Sequence, residues 1–168
     1  GRWPWRKVRT VRTPARKCRR GGVHHLANGD GIITKVTPFT RIFTAQPDDI
    51  DELGHVNNAV WVRWIQDMAT SHWQAVAAPE HIAAYFWVVT RHEIDYRGNV
   101  GPGESVTANT WIEREPKGAQ FDRRVDFVDA AGKVIVRANT TWAMIDKATG
   151  RLVRVRPEVS APFMGVHH

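Results

Sequence analysis

Asp49-Ile50-Asp51-Glu52-Leu53-Gly54-His55-Val56-Asn57-Asn58 crowds carboxylates, an imidazole and two amides onto one short turn. The segment behind it is strongly periodic. From Ala59 onward, Trp61, Trp64, Ile65, Met68, Ala69, His72, Trp73 and Val76 recur at spacings of three and four, with Arg63, Gln66, Asp67 and Thr70 largely between them. That spacing predicts an amphipathic helix with one buried face. Asn57 or Asn58 is placed to cap its first turn, and Ala77-Ala78-Pro79 supplies a stop. The helix is therefore expected to run for roughly twenty residues, or about 30 Å, enough to cross a small sheet.

The chain on either side of this helix reads as strand. Ile32 to Phe43 precedes it. After it come Tyr85 to Tyr96, Ser105 to Glu113, Phe121 to Val128 and Lys133 to Asp146, separated by turn signals at Gly98 to Gly103, Pro116-Lys117-Gly118 and Asp129-Ala130-Ala131-Gly132. Lys147-Ala148-Thr149-Gly150 turns into a short basic strand at Arg151 to Arg156. The order is strand, loop, long helix and then four strands in meander, which predicts an antiparallel sheet curled around one helix.

Charge is distributed unevenly. Of 24 Lys and Arg, nine lie in residues 1–22, which hold no acid; the remaining 15 face 17 Asp and Glu, so the rest of the chain has a net charge of −2. The basic average belongs to the N-terminal tail and says nothing of the domain. An arm for nucleic acid or anionic membrane, or a targeting segment, fits this tail poorly, because it has neither serine nor an apolar core. Residues 1–22 are expected to be a disordered basic extension, with a single domain over residues 23–168. Gly1 in place of Met hints at a start that is not native.

No apolar run approaches the length of a membrane span. With Cys18 as the single cysteine, neither an intramolecular disulfide nor a cysteine-based metal cluster can form. His24-His25 and His167-His168 stand apart from other ligand types, so no metal is expected. There is no internal repeat and no Gly-rich phosphate loop, no cofactor is implied, and cytoplasm is the default compartment.

The element order resembles the hotdog fold: α+β, an antiparallel sheet of five to six strands wrapped around one long helix. The residues carry the likeness further. Asp49, Asp51, Gly54, His55, Val56, Asn57, Asn58 and Trp61 form an Asp-x-Asp-x-x-Gly-His-Val-Asn-Asn segment with an aromatic beyond it. It resembles the signature of the 4-hydroxybenzoyl-CoA thioesterase and acyl-ACP thioesterase group. Ile94-Asp95-Tyr96-Arg97 and Gly103-Glu104-Ser105-Val106 are similar to a second segment of that group. The likeness covers about residues 34 to 155.

The resemblance implies a thioester hydrolase. Hydrolysis needs a nucleophile or base on one face of the carbonyl and donors for the oxyanion on the other. Asp51 would attack the carbonyl or activate water. Asn58 occupies the position whose backbone amide meets the oxyanion at the helix start. His55 would polarise the carbonyl, position water or orient Asp51. Taken alone, the same residues also read as a solvated acidic turn, a hydrogen-bonded histidine and, at Asn57 and Asn58, helix caps. Asp49 is expected to be structural. Plant-type acyl-ACP thioesterases look like Asp-x-Asn-x-His here, whereas Leu53 stands at the asparagine position and Gly98 to Gly101 supplies no further acid.

Trp61, Trp64, Met68 and Trp73 offer an apolar wall for an acyl or aroyl chain, with Asn57 at its mouth, although a tryptophan stripe at helical spacing also serves as plain core. Arg91, Arg114, Lys117, Arg123, Arg124 and Arg151 are candidates for the CoA phosphates or for the acidic helix of acyl carrier protein. An exposed sheet edge and a half-open site point to a homodimer with joined sheets, or a tetramer built from it. Two rivals are weaker. An enoyl-thioester hydratase would carry Asp-x-Asn-Pro-x-His. A non-catalytic acyl-thioester sensor that touches DNA has no use for Asp51, and residues 1–22 are too short for a helix-turn-helix.

Overall fold

The computed structural model describes residues 38–164. The basic extension, the first part of the strand expected from Ile32, Cys18 and both histidine pairs lie outside them. Five strands form one antiparallel sheet: β1 (Phe39–Thr44), β2 (Tyr85–Tyr96), β3 (Ser105–Trp111), β4 (Gln120–Val128) and β5 (Val134–Asp146). Helix α1 (Asn58–Val76) follows β1 and covers one face. At 19 residues it is about 28 Å long. Among the described residues no helix is long and apolar enough to cross a membrane.

The order across the sheet is β1-β3-β4-β5-β2. Only β3, β4 and β5 form a meander, so the expected four-strand meander is corrected at β2. The chain leaves β1 on one edge, crosses the sheet in α1 and arrives at the other edge, where β2 pairs with β5 from Tyr85 opposite Asp146 to Tyr96 opposite Val136. Residues 97–104 then return past β5 and β4 to reach β3. At about 4.8 Å per strand that path spans roughly 14 Å. It runs along the sheet end nearest the start of α1, where the Val56 N–H donates to the Val100 carbonyl at 3.1 Å.

The buried face of α1 is the one its periodicity marks: Trp61, Trp64, Ile65, Met68, Ala69, His72 and Trp73, with Val60 added and Val76 left half-buried. The N-terminal half packs on Phe43, Val106, Val125, Phe127 and Val136. Trp61 stands edge-on to both Trp64 and Phe127, an arrangement aromatic rings favour. Farther along, Trp73 joins a second cluster with Ile112, Phe121, Met144, Val155 and Phe163.

Residues expected as a basic strand at Arg151 to Arg156 are instead an extended tether. A lone bridge joins Leu152 to Ile145, and the Val155 N–H reaches the Gly118 carbonyl at 2.8 Å. Hydrogen bonds to two different parts of the sheet end prevent a continuous ladder. The tether leads into a short helix, α3 (Pro157–Ser160), and a 3₁₀ turn that seats Phe163 in the second cluster. Pro79, read as a stop, both ends α1 and opens a six-residue helix, α2 (Pro79–Ala84), because proline suits a first helical turn.

Candidate active site

The loop before α1 is built on two aspartates with different duties. Asp49 is buried at the end of a 3₁₀ turn, and its carboxylate accepts the Gln46 N–H at 2.9 Å and pairs with Arg63 of α1. Burial pushes its pKa up, but the Gln46 hydrogen bond and Arg63 outweigh it and hold the carboxyl below the ordinary range. Its carbonyl takes the Asn57 N–H at 2.9 Å, so Asp49 fixes where the helix begins. This is the structural part expected of it.

Asp51 closes the loop on itself. Its Oδ1 accepts the N–H groups of Leu53 at 2.9 Å and His55 at 3.2 Å, and its own N–H donates to the His55 carbonyl at 2.8 Å. Gly54 turns the chain with φ near +78°, a conformation other residues adopt at a cost. Oδ2 makes no hydrogen bond among the described residues, which leaves an anchored carboxylate with one open oxygen.

Beside it, Asn57 caps α1: its Oδ1 accepts the Ala59 N–H at 2.9 Å, and its carbonyl takes the Val60 N–H at 2.9 Å. The Asn58 N–H has no partner among the described residues and sits at the positive end of the helix. The side chains of His55 and Asn58 are exposed and unbonded, again among the described residues. Leu53, 76% exposed, makes an apolar tip.

A residue missed by sequence reading holds this loop to the crossover. In sequence Asn99 is one residue of the Gly98 to Gly103 turn, yet its Oδ1 accepts the Val56 N–H at 3.1 Å and its Nδ2 donates to the Val56 carbonyl at 3.0 Å. No periodicity marks such a position, since the contact joins two irregular segments 43 residues apart.

The expected substrate-binding residues are dispersed. Trp61, Trp64 and Met68 lie in the packed core, and none lines the cavity described below. Arg91 is exposed on β2 and pairs with Glu93 at 2.6 Å; Arg124 pairs with Glu113 at 3.2 Å. Arg114, Lys117 and Arg151 are exposed. Arg114 and Lys117 sit at the β3–β4 turn, the sheet end opposite the Asp51 loop, because β3 runs away from that loop after Ala45 and Gly103 bond. One protomer does not bring them to Asp51. Arg123 is corrected more sharply: expected at an outer entrance, it is 7% exposed and faces inward. Strand alternation explains it, since Phe121, Arg123, Val125 and Phe127 share the buried face of β4.

A cavity of about 250 Å³ lies under the C-terminal half of α1, lined among others by Trp73, Trp87, Phe121, Arg123, Trp142 and Phe163. Its α1 lining runs from Ala69 to Gln74, so at about 1.5 Å per residue the cavity lies roughly 16 to 24 Å along the helix from Asn58.

Comparison with known proteins adds the following. The sequence profile of a family described as the acyl-ACP thioesterase N-terminal domain matches residues 37–163. A chloroplastic acyl-[acyl-carrier-protein] hydrolase of Cuphea viscosissima is 27% identical over 73 residues, which are 44% of this chain and 18% of that protein. In three dimensions the chain is similar to an acyl-ACP thioesterase from Bacteroides thetaiotaomicron, with TM-score 0.67 and 23% identity over 78% of this chain and 54% of that one. It is also similar to a 1,4-dihydroxy-2-naphthoyl-CoA thioesterase from Synechocystis, with TM-score 0.66 and 15% identity over 78% of this chain and 98% of that one. These likenesses establish the hotdog fold. The chain spans about half of the Bacteroides protein and less than a fifth of the Cuphea protein.

Proposed function

The chain belongs to the acyl-ACP thioesterase N-terminal domain family, and from that premise we propose that it hydrolyses acyl or aroyl thioesters, with Asp51 as nucleophile or general base. The observation that carries the proposal is the state of the Asp51 carboxylate. One oxygen is held by two backbone N–H groups, the other is open, and the unpartnered Asn58 N–H stands at the same helix start. The open oxygen either takes a proton from a water that attacks the thioester carbonyl, or attacks it directly to give an acyl-aspartyl anhydride that water then cleaves to free the acid and Asp51. The Asn58 N–H and the helix dipole stabilise the oxyanion, and the thiolate then leaves. His55 is exposed on the same turn, which supports a role in orienting the carbonyl or the water.

The complete site is proposed to form between two copies. β2 is a sheet edge, and Phe86, Val88 and Tyr96 on it are exposed. Antiparallel pairing of two β2 edges puts the Tyr96 end of each against the Tyr85 end of the other. The first end adjoins the Asp51 loop, and the second adjoins the cavity together with Arg114 and Lys117. An acyl chain enters one protomer's cavity while its thioester meets the other's Asp51. The thiol carrier is proposed to be CoA. Carrier protein is a second reading, favoured by the family's name.

Thiol release from acyl-CoA, aroyl-CoA and acyl-carrier-protein thioesters, compared for wild type and Asp51→Asn, tests this. Asparagine keeps the oxygen that holds Leu53 and His55, so the loop survives while turnover falls at least about a hundredfold. Absence of thiol release from every thioester would sink the hydrolase reading.

A further inference from the structure

Arg123 carries a charge that nothing in its surroundings balances. Its Nη1 donates to His72 Nδ1 at 2.8 Å and to Thr110 Oγ1 at 3.1 Å, and its guanidinium lies 6.0 Å from the centre of the Phe163 ring. Nε and Nη2 have no partner, and no carboxylate lies within ion-pair distance, among the described residues. Burial lowers its pKa to about 10, which still leaves it charged at neutral pH. The imidazole beside it brings no negative charge: burial and Arg123 hold His72 near 4, in the neutral form. Arg123 is only 7% exposed, and a cation so largely withdrawn from water without a counterion is costly. Two more donors on its wall lack a partner among the described residues, the buried indole N–H groups of Trp87 and Trp142, while Thr70, Gln74 and Tyr85 add groups that can donate or accept. The wall is thus largely aromatic, with unpartnered donors at Arg123, Trp87 and Trp142 and a second cation, Lys147, whose Nζ donates to the Ile82 carbonyl at 2.7 Å.

We propose that this cavity binds an acyl group whose far end bears a carboxylate, anchored by the free edge of the Arg123 guanidinium. The substrate class is then the monothioester of a dicarboxylic acid. This rests on the hydrolase reading above and deepens it. A planar guanidinium with two donors on one edge matches a carboxylate in charge and geometry. At about 30 Å³ for a water-sized group, a volume of 250 Å³ holds on the order of eight non-hydrogen atoms, so a short to medium chain fits.

The experiment compares adipoyl-CoA with hexanoyl-CoA, and suberoyl-CoA with octanoyl-CoA, in wild type, Arg123→Met and Arg123→Lys. Turnover is read as kcat/KM, and binding is read by tryptophan fluorescence in the Asp51→Asn background. Wild type prefers the carboxylated member of each pair by roughly tenfold or more, Arg123→Met reverses the preference, and Arg123→Lys keeps part of it. The Lys variant retains the charge and keeps the test informative should the Met variant fail to fold. If no thioester is hydrolysed, the hydrolase reading fails, yet tighter binding of suberoyl-CoA that is lost in Arg123→Met still upholds the site. Equal turnover and equal affinity within each pair overturn the proposal. Fluorescence changes with free octanoate, without any preference between the thioesters, assign Arg123 to a free acid and overturn it as well.

Discussion

Asn99 clamps Val56 with two hydrogen bonds, accepting its N–H at 3.1 Å and donating to its carbonyl at 3.0 Å. The same Oδ1 also accepts the Val100 N–H at 2.9 Å, so one side chain ties the crossover to the loop that carries Asp51 and His55. Val56 itself is wholly buried beneath that loop. The position of the proposed carboxylate therefore depends on a residue of the crossover, more than forty positions along the chain.

Asn99→Ala leaves the buried Val56 carbonyl without its amide donor. A stability loss of about 1–3 kcal/mol is expected, the usual cost of an orphaned buried polar group. Because the loop is displaced rather than the chemistry removed, kcat should fall more than KM rises. Urea unfolding and steady-state kinetics on the same preparation check both. Unchanged kcat in a folded variant would show that the clamp does not position Asp51.

These two segments also mark the limit of what sequence alone discloses. Helix α1 was legible because its apolar residues repeat every three or four positions and the Asn57-Asn58 pair announces a cap, which the structure assigns to Asn57. Strands β2 to β5 were legible from β-branched and aromatic runs between turn residues. The pairing of β2 with β5 was not, since register between distant strands leaves no local periodicity and sequential strands usually neighbour each other. Asp51 was visible through its motif, whereas Asn99 lay in a turn whose glycines and proline accounted for it without a partner. Arg123 had a signal that charge alone obscured. In Phe121-Asp122-Arg123-Arg124-Val125-Asp126-Phe127 the alternation puts Arg123 on the face of Phe121, Val125 and Phe127, and an arginine among core positions is a residue with a task.

The β2 edge supplies a second prediction. Val88 and Phe86 are exposed apolar residues on a strand that, among the described residues, pairs on one side only. The half of β2 from Tyr85 to Thr90 carries no charge, ahead of Arg91, Glu93 and Asp95, and an uncharged edge favours association. Wild type is expected to sediment as a dimer or a multiple of one, and Val88→Lys to shift it toward monomer with a parallel loss of turnover. A wild-type monomer with full activity would remove the two-copy site from the mechanism.

Burial of His72 makes stability depend on pH in a definite direction. The ring stacks on Phe39 at 4.8 Å between centroids, meets Phe163 edge-on at 5.0 Å and accepts from Arg123, so a proton on Nδ1 has no room and an adjacent cation to oppose it. Its folded pKa is about 4, against about 6.5 for an unperturbed histidine. Between those values the unfolded chain binds a proton that the folded chain refuses. Stability therefore falls as pH drops below about 6.5, by on the order of 2 kcal/mol by about pH 5, and is unaffected by this group above neutrality. Asp49 contributes at lower pH, because its folded pKa lies below the ordinary carboxylate range and its stabilisation is lost only as pH falls toward that value. His92, lowered by burial, acts in the same sense as His72, so a single wild-type curve does not separate them. His72→Gln keeps an acceptor for Arg123 and removes the titration. Urea unfolding at about pH 7 and pH 5 should show a smaller loss in the variant than in wild type, and equal losses would place the acid sensitivity elsewhere.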